Sequence, residues 1–233
     1  DVVHSQLVSS IQTVTYPALS TVQNDNPVLK DGYRKVIMVT TFIVFPALTF
    51  LAALTVPLFD LILPDNWQFA GLYLQLLCLS GLMVPLHSLN YNILQVKGKA
   101  NLILMLEILK KSLLLVVLIA SLKYGIIGVL IGRIITSILN YLPNSYFSGR
   151  LIDYPAREQI GDFLPSLFLS LFVGGLVYGL VTILDWPAFV ELCVLGMLAV
   201  ILYIALAYIL KVKSLVQTIE LIRKQGYRVG WSV

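Results

Sequence analysis

The chain has 233 residues, of which 58% are hydrophobic and only 12% are charged. Soluble domains carry roughly 25% charged residues, and the mean hydropathy here is +0.89, so one globular core could not bury this much apolar surface. Two cysteines are too few for a disulfide scaffold, and the net charge of +4 is spread over several short segments. The composition predicts an integral membrane protein and argues against a disordered chain, a secreted enzyme and a nucleic-acid partner.

Residues 1–20 carry an apolar stripe with helical spacing, formed by Val3, Leu7, Ile11, Val14 and Ala18. The opposite face is too polar for contact with lipid all round. We interpret residues 1–20 as the end of a truncated helix whose polar face lines a water-filled cavity; a helix lying on the membrane surface is the alternative. A turn at Asn24-Asp25-Asn26-Pro27 and a short basic helix then form a connection at 21–35, predicted to be cytoplasmic.

Six segments between residues 36 and 210 are long and apolar enough to cross a bilayer, which takes roughly 20 residues. They are Val36–Leu58, Phe69–Val96, Ala100–Leu122, Tyr124–Phe147, Phe163–Leu184 and Trp186–Leu210. The predicted fold is an all-α, polytopic transmembrane bundle of six full spans plus the partial N-terminal helix. Prolines indicate kinks, at Pro46, Pro57, Pro85 and Pro165, and two small-residue pairs permit close helix packing, Gly128/Gly132 and Gly175/Gly179.

The basic residues predict the orientation of these spans. Twelve Lys and Arg fall in the segment before the first span, in the second and fourth connections and in the tail, whereas the opposite side holds only Lys123. Cations accumulate on the cytoplasmic side, so we expect both ends of the six-span block to be cytoplasmic. Residues 211–233 repeat an apolar stripe flanked by Lys and Arg, and we expect this amphipathic tail to lie along the cytoplasmic leaflet.

Charged side chains inside the spans are the strongest candidates for a binding site, because each is costly there unless it faces water or a partner. Glu107 precedes Lys110 and Lys111 by three and four residues, so it can neutralise one of them along the helix. One cation is then left over near mid-helix. Arg133 lies in the antiparallel next span, where we expect it at a depth similar to that of Lys110 and Lys111, within reach of the same anionic group. Together they suit a phosphate-bearing substrate; the alternative is structural pairing, with lysines that extend to the interface.

Uncharged polar residues extend this candidate site. Asn90 and Asn140 lie near the ends of the second and fourth spans, where amides facing a cavity suit sugar hydroxyls. Hydrogen bonds between helices explain them equally well. A single histidine such as His87 more often has a packing role within a helix bundle than a role in proton transfer.

Motifs for catalysis or metal binding were not found in the sequence. It lacks an HExxH zinc motif, a P-loop and a dinucleotide-binding glycine fingerprint. Asp60 and Asp185 lie at span ends, unlike the mid-membrane pair of an aspartyl membrane protease. We therefore predict no catalytic residues, no metal site and no cofactor, and the sequence does not identify a coupling ion or a role for the membrane potential.

Several motifs, in this order and spacing, resemble those of one transporter family. They include Gly32-Tyr33-Arg34-Lys35, Phe45-Pro46, Leu63-Pro64-Asp65-Asn66-Trp67, Pro85-Leu86-His87-Ser88-Leu89-Asn90, Lys97-Gly98-Lys99-Ala100-Asn101-Leu102 and Leu106-Glu107-Ile108-Leu109-Lys110-Lys111. The chain resembles the C-terminal half of bacterial Wzx-type lipopolysaccharide, O-antigen and exopolysaccharide flippases. These form the polysaccharide transporter family of the MATE-like multidrug/oligosaccharidyl-lipid/polysaccharide exporter superfamily.

The resemblance implies the second lobe of a two-lobed transporter with a central basic cavity. It implies a polyprenyl-pyrophosphate-linked oligosaccharide as substrate, flipped across the bacterial inner membrane by alternating access, and an N-terminal lobe of the same protein as partner alongside membrane lipids. On this interpretation Lys110, Lys111 and Arg133 attract the pyrophosphate, and Glu107 holds the lysine pair in place. Two alternatives remain: a drug or metabolite antiporter of the same superfamily, and a membrane glycan polymerase or ligase.

Overall fold

The fold is described by a computed structural model that covers residue 13 and residues 15–17, 19–184 and 186–229, with the backbone alone at residue 65 and at 222–229. The predicted truncated helix at 1–20 lies largely outside these residues, although 15–17 and 19–20 are helical. After residue 25 the described part contains nine α-helices: α1 Asn26–Ala53, α2 Thr55–Ile62, α3 Ala70–Gly81, α4 Val84–Val96, α5 Ala100–Ser121, α6 Gly125–Leu151, α7 Ala156–Ile183, α8 Ala188–Ile209 and α9 Lys213–Val229.

Five helical runs in the described part are long and apolar enough to span a membrane: Asn26–Ala53, Ala70–Val96, Ala100–Leu151, Ala156–Ile183 and Ala188–Ile209. The third contains two of the predicted spans, because the chain turns back after the 3₁₀ turn Leu122–Tyr124. Gly125 takes the left-handed φ of +69° that glycine tolerates, and Gly132 then packs against Val117. The prediction of an all-helical, multi-pass membrane bundle is confirmed.

Two of the predicted spans are broken into shorter helices. The first ends at Ala53 and resumes as α2 at Thr55, and the second breaks at Leu82 and Met83, before Pro85 in the first turn of α4. Proline lacks an N–H group but suits the first turn of a helix, so it favours a new helix start. The basic helix predicted within 21–35 is continuous with the first span, since Asp25 caps α1 by accepting a 3.2 Å hydrogen bond from the Val28 N–H.

Two apolar cores hold the bundle together. One joins α1, α4, α6 and α7, where Phe163 lies edge-on to both Phe45 and Tyr141. The other joins α1, α7 and α8, where the Tyr203 hydroxyl donates to the Phe42 carbonyl at 3.1 Å. By contrast, most side chains of α5 are at least partly exposed. Helix α5 is therefore less tightly packed than the helices that form the two cores, and it lies at the periphery of the bundle.

Charged and polar contacts tie the segments at one end of the bundle, and we name one cluster of three residues, Arg34, Tyr154 and Asp162, the polar clasp. Arg34 of α1 makes a two-pronged contact with Asp162 of α7, at 2.7 Å from Nη2 to Oδ1 and 2.6 Å from Nε to Oδ2. Tyr154 donates to the same carboxylate at 2.6 Å. Burial, reinforced by this hydrogen bond, raises the pKa of Tyr154 far above the usual tyrosine value, so the phenol stays a donor.

Two lysines join further segments at this end of the bundle. Lys30 donates to the Asp153 carbonyl at 2.6 Å and lies 3.0 Å from Glu158. Lys97, which follows α4, donates at 2.6 Å to the Gln23 carbonyl. The segment before α1 therefore contacts the α4–α5 connection, the first turns of α1 contact the α6–α7 connection and the start of α7, and all of these lie at the same end.

Replacing Arg34 by glutamine is expected to lower the free energy of unfolding by about 1–2 kcal/mol, because it leaves the Asp162 carboxylate with one fewer partner at a site where only 7% of its side chain is exposed. The matched control is Lys35→Gln on the same helix, whose partner Asp31 is 62% exposed, and a change of less than about 0.5 kcal/mol is expected there. Thermal unfolding of the purified complete protein measures both. Equal losses would show that the polar clasp is no stronger than a surface ion pair.

Candidate functional site

A polar cavity of about 890 Å³ opens between α4, α5 and α6, at the end of α3. Each of the three helices contributes residues spaced by three or four positions, which places them on one face of an α-helix. The α4 face consists of Val84, His87, Ser88, Tyr91 and Gln95, the α5 face of Glu107, Lys110, Lys111 and Leu114, and the α6 face of Arg133, Thr136, Ser137 and Asn140. Three polar helix faces thus meet within a predominantly apolar bundle.

The α5 face carries the paired charges. Lys110 Nζ lies 3.0 Å from Glu107 Oε1, three residues away along the helix. Lys111 is exposed and has no ion pair with a described residue. Glu107 therefore neutralises Lys110, and the second lysine supplies the surplus charge on this face.

Arg133 lines the same cavity from α6. Gly132 packs against Val117 in the antiparallel hairpin, so Arg133 is level with the residue before Val117. At 1.5 Å per residue, that position is roughly 8 Å along the helix axis from Lys111. The cations are thus distributed along the cavity, and the expectation that they lie at a similar depth is not met.

His87 joins two walls of the cavity. Its Nε2 lies 3.0 Å from the Ser137 carbonyl and its Nδ1 lies 3.0 Å from the side-chain nitrogen of Asn144. A carbonyl only accepts and an amide NH₂ only donates, so both contacts are satisfied by a neutral imidazole protonated at Nε2. His87 therefore cross-links α4 and α6, as a packing histidine does.

The structure separates the two candidate asparagines. Asn140 lines the cavity, and its Oδ1 has no hydrogen-bond partner among the described residues. Asn90 is fully buried away from it, donating to the Leu86 carbonyl at 2.8 Å and accepting from Ser148. Asn90 lies about 100° around α4 from the cavity-lining Tyr91, which is why it faces the core instead.

Several cavity residues were not among the sequence candidates, namely Ser88, Gln95, Thr136 and Ser137. Their signal is helical spacing: Thr136 and Ser137 follow Arg133 by three and four residues. Tyr91 and Gln95 continue the face of His87 in the same way. The helical periodicity of polar residues within each span identifies these positions. Choosing candidates one at a time by residue type does not.

The cavity is chemically suited to an anion that also carries hydroxyl groups. Three cations and one carboxylate line it, for a net formal charge of +2. An arginine binds phosphate through two parallel hydrogen bonds and a lysine acts as a point charge, while the amides and hydroxyls around them can pair with sugar hydroxyls. In the part of the chain that the structure describes, no three His, Cys, Asp or Glu side chains come together as metal ligands.

Comparison with known proteins finds relatives in polysaccharide biosynthesis. Residues 1–70 match a family described as "Polysaccharide biosynthesis protein". The chain is 30% identical over 166 residues to an uncharacterized membrane protein in the cps region of Klebsiella pneumoniae, covering 71% of this chain and 34% of that protein. It is 28% identical over 164 residues to the lipopolysaccharide biosynthesis protein WzxC of Escherichia coli K12, covering 70% and 33%.

The fold is similar to that of the lipid II flippase MurJ in its inward closed conformation, with a TM-score of 0.67 and 20% identity over 89% of this chain and 44% of that one. The sequence matches confirm the resemblance to membrane proteins of polysaccharide biosynthesis that the motifs indicate. The chain spans about one third of the length of the curated relatives it matches.

Proposed function

We propose that this chain is the second lobe of a transporter that flips polyprenyl-pyrophosphate-linked oligosaccharides across the bacterial inner membrane for lipopolysaccharide or exopolysaccharide biosynthesis. The observation that carries the proposal is the cavity that Lys110, Lys111 and Arg133 line within an apolar bundle. Similarity to membrane proteins of polysaccharide biosynthesis supports the class of substrate. The fold shared with a lipid II flippase supports the class of transport.

The cavity residues divide the work of binding. Lys111 and Arg133 supply positive charge for the pyrophosphate, and Glu107 fixes the Lys110 ammonium in the same cavity. Asn140, with a buried oxygen that lacks a partner among described residues, offers an acceptor to a sugar hydroxyl. A charged, hydroxylated head group does not enter hydrocarbon unaided because unsatisfied polar groups are costly there, so this lining would carry it across.

Transport by this lobe requires a second lobe. Alternating access in such transporters is a rocking of two halves around a site near the middle of the membrane, and substrate binding shifts the population between the two states. The cavity between α4, α5 and α6 is open. We propose that an N-terminal lobe of the same protein closes the other side of it.

The orientation is proposed from the same end of the bundle that holds the polar clasp. Lys30, Arg34 and Lys97 lie there with the connections that precede α5 and α7, and cationic connections favour the cytoplasmic side. We therefore place the ends of the six-span block, including the C-terminus, in the cytoplasm.

Transport of a defined substrate tests the proposal. The complete protein that contains this chain is reconstituted into vesicles with a fluorescent polyprenyl-pyrophosphate-linked oligosaccharide, and access of the sugar to an externally added lectin is followed over time. Flipping of this lipid, with no transport of a hydrophobic cationic dye, is the expected result because the cavity is basic. Transport of the dye alone would replace the proposal with a drug antiporter, and polymerisation of the sugar would indicate an enzyme.

A further inference from the structure

Away from the candidate site, two cavities meet at the junction between α8 and α9. The larger, of about 650 Å³, is a groove between α7 and α8 with an apolar wall that includes Phe168, Leu169, Phe172 and Leu206. The smaller, of about 320 Å³, is a polar cleft between the start of α1 and the start of α9. Lys211 and Lys213 line both cavities. An apolar groove therefore joins a polar cleft through two lysines.

The two lysines supply the uncompensated charge at this junction. Asp162 borders the groove, but it is already bound by Arg34 and Tyr154. In the smaller cleft, Asp31 lies 2.5 Å from Lys35. Lys211 and Lys213 form no ion pair with a described residue and are exposed. The junction therefore carries a surplus of positive charge next to an apolar groove.

The backbone at Lys211 adds a second, independent observation. Helix α8 ends in a motif in which the Val212 N–H donates to the Ala207 carbonyl and the Lys211 N–H to the Tyr208 carbonyl, and the residue at this turn takes a left-handed conformation that is usually given to glycine. Here it is Lys211, with φ of +51°, whereas the comparable turn after α4 uses Gly98, with φ of +63°. Lys211 therefore takes a backbone conformation that is unfavourable for a lysine.

We propose that this junction is a binding site for an anionic phospholipid of the adjacent leaflet, with one acyl chain in the groove between α7 and α8 and the phosphate against Lys211 and Lys213. The volume of the groove falls in the range of small-molecule sites, about 300–1,000 Å³. The cleft and the start of α9 provide the polar end, since N–H groups at a helix N-terminus favour phosphate. This site is separate from the transport cavity and does not depend on the proposed substrate.

Lipid binding to the purified complete protein tests this site. The protein is stripped of lipid in a neutral detergent, and dioleoylphosphatidylglycerol is added while bound lipid is counted by native mass spectrometry. Tighter binding of this lipid than of dioleoylphosphatidylcholine is expected. A Lys211→Gly/Lys213→Gln variant is expected to bind phosphatidylglycerol roughly 25-fold more weakly, about fivefold for each lysine.

The glycine in this variant separates binding from folding. Glycine adopts a left-handed φ without the penalty that a lysine incurs, so without added lipid the variant should unfold at a temperature no lower than the wild-type protein. Lys99→Gln, in the exposed α4–α5 connection, removes a cation elsewhere at the same end of the bundle and should leave lipid binding unchanged. Loss of binding in the variant together with unchanged binding in this control supports the site.

Three results would overturn the proposal. Equal binding by the wild-type protein and the lysine variant would show that the junction is not the site. An equal loss for Lys99→Gln would show general attraction to charge. Binding of polyprenyl phosphate at this junction in preference to phosphatidylglycerol would assign it to the carrier lipid of the substrate. None of these readouts measures flipping, so they remain informative whether or not the proposed function holds.

Discussion

Replacing Lys110, Lys111 and Arg133 together by glutamine is expected to abolish flipping by the complete protein while leaving its insertion into the membrane intact. The net formal charge of the cavity lining falls from +2 to −1, because Glu107 remains. A cation about 4 Å from a phosphate contributes roughly 4 kcal/mol at an effective dielectric constant of 20, so a loss of at least about 100-fold is expected. Surface polysaccharide in a strain lacking its own transporter, measured beside the amount of protein in the membrane, checks this result.

Glu107 provides the control that separates charge from shape. Lys110→Gln alone leaves the carboxylate without its partner and lowers the net charge to +1, whereas Lys110→Gln with Glu107→Gln restores +2. Activity should therefore be higher in the double variant than in the single one. The matched control is Lys123→Gln, since Lys123 lies over the Tyr124 ring at 4.9 Å, outside the cavity; activity close to wild type is expected. A double variant no better than Lys110→Gln would contradict the electrostatic account of the cavity.

The spans were predictable from the sequence because the thickness of the hydrocarbon fixes their length. Breaks inside them were only partly predictable. Pro57 and Pro85 lie just after helix breaks, whereas Pro46 and Pro165 lie within the continuous helices α1 and α7. A proline near the first turn of a helix suits a new helix start, but whether neighbouring helices hold a continuous helix together around an interior proline is decided by packing. That packing is a tertiary property.

The two glycine pairs also show that helix packing is not predictable from spacing alone. Gly132 and Gly128 both lie at points of close approach within the α5–α6 hairpin. A Cβ added at Gly132 would come within 2.9 Å of Val117, and one added at Gly128 within 2.8 Å of the Ser121 carbonyl oxygen. Gly175 and Gly179 have the same spacing, yet open space surrounds both positions in the described structure. Spacing identifies a helix face on which close approach is allowed. The sequence does not say whether another helix occupies that face.

The charged part of the candidate site was easier to predict than its polar part. A charge within a span has few tolerable locations, so Glu107, Lys110, Lys111 and Arg133 identified the cavity wall. An asparagine is tolerated wherever it finds a hydrogen bond, and Asn90 finds one with the Leu86 carbonyl in its own helix. Predicting which polar residues line a cavity therefore requires the angular position around the helix as well as the residue type.

The second large effect is expected for Gly149→Ala, near the end of α6. A Cβ at this position would overlap the carbonyl oxygen of Tyr154 and lie 3.1 Å from its carbonyl carbon. These are backbone atoms held in place: the Tyr154 N–H donates to the Gly149 carbonyl at 2.9 Å, and Gln159 donates to the Tyr154 carbonyl at 3.0 Å. Because Tyr154 is fully buried, the clash cannot be relieved by rotating one side chain, and a loss of about 3 kcal/mol or more is expected.

Gly179→Ala on α7 is the matched control, since nothing lies within 4 Å of a Cβ added there. Alanine favours a helix over glycine by up to about 1 kcal/mol, so this variant should be neutral or slightly more stable. Thermal unfolding of the two purified variants, with the amount of each in the membrane fraction, gives the comparison. The turn after α6 also brings Tyr154 to Asp162 in the polar clasp, so Gly149→Ala should disturb the clasp as well. If both variants were equally stable, the close approach of α6 to this turn would not contribute to the fold.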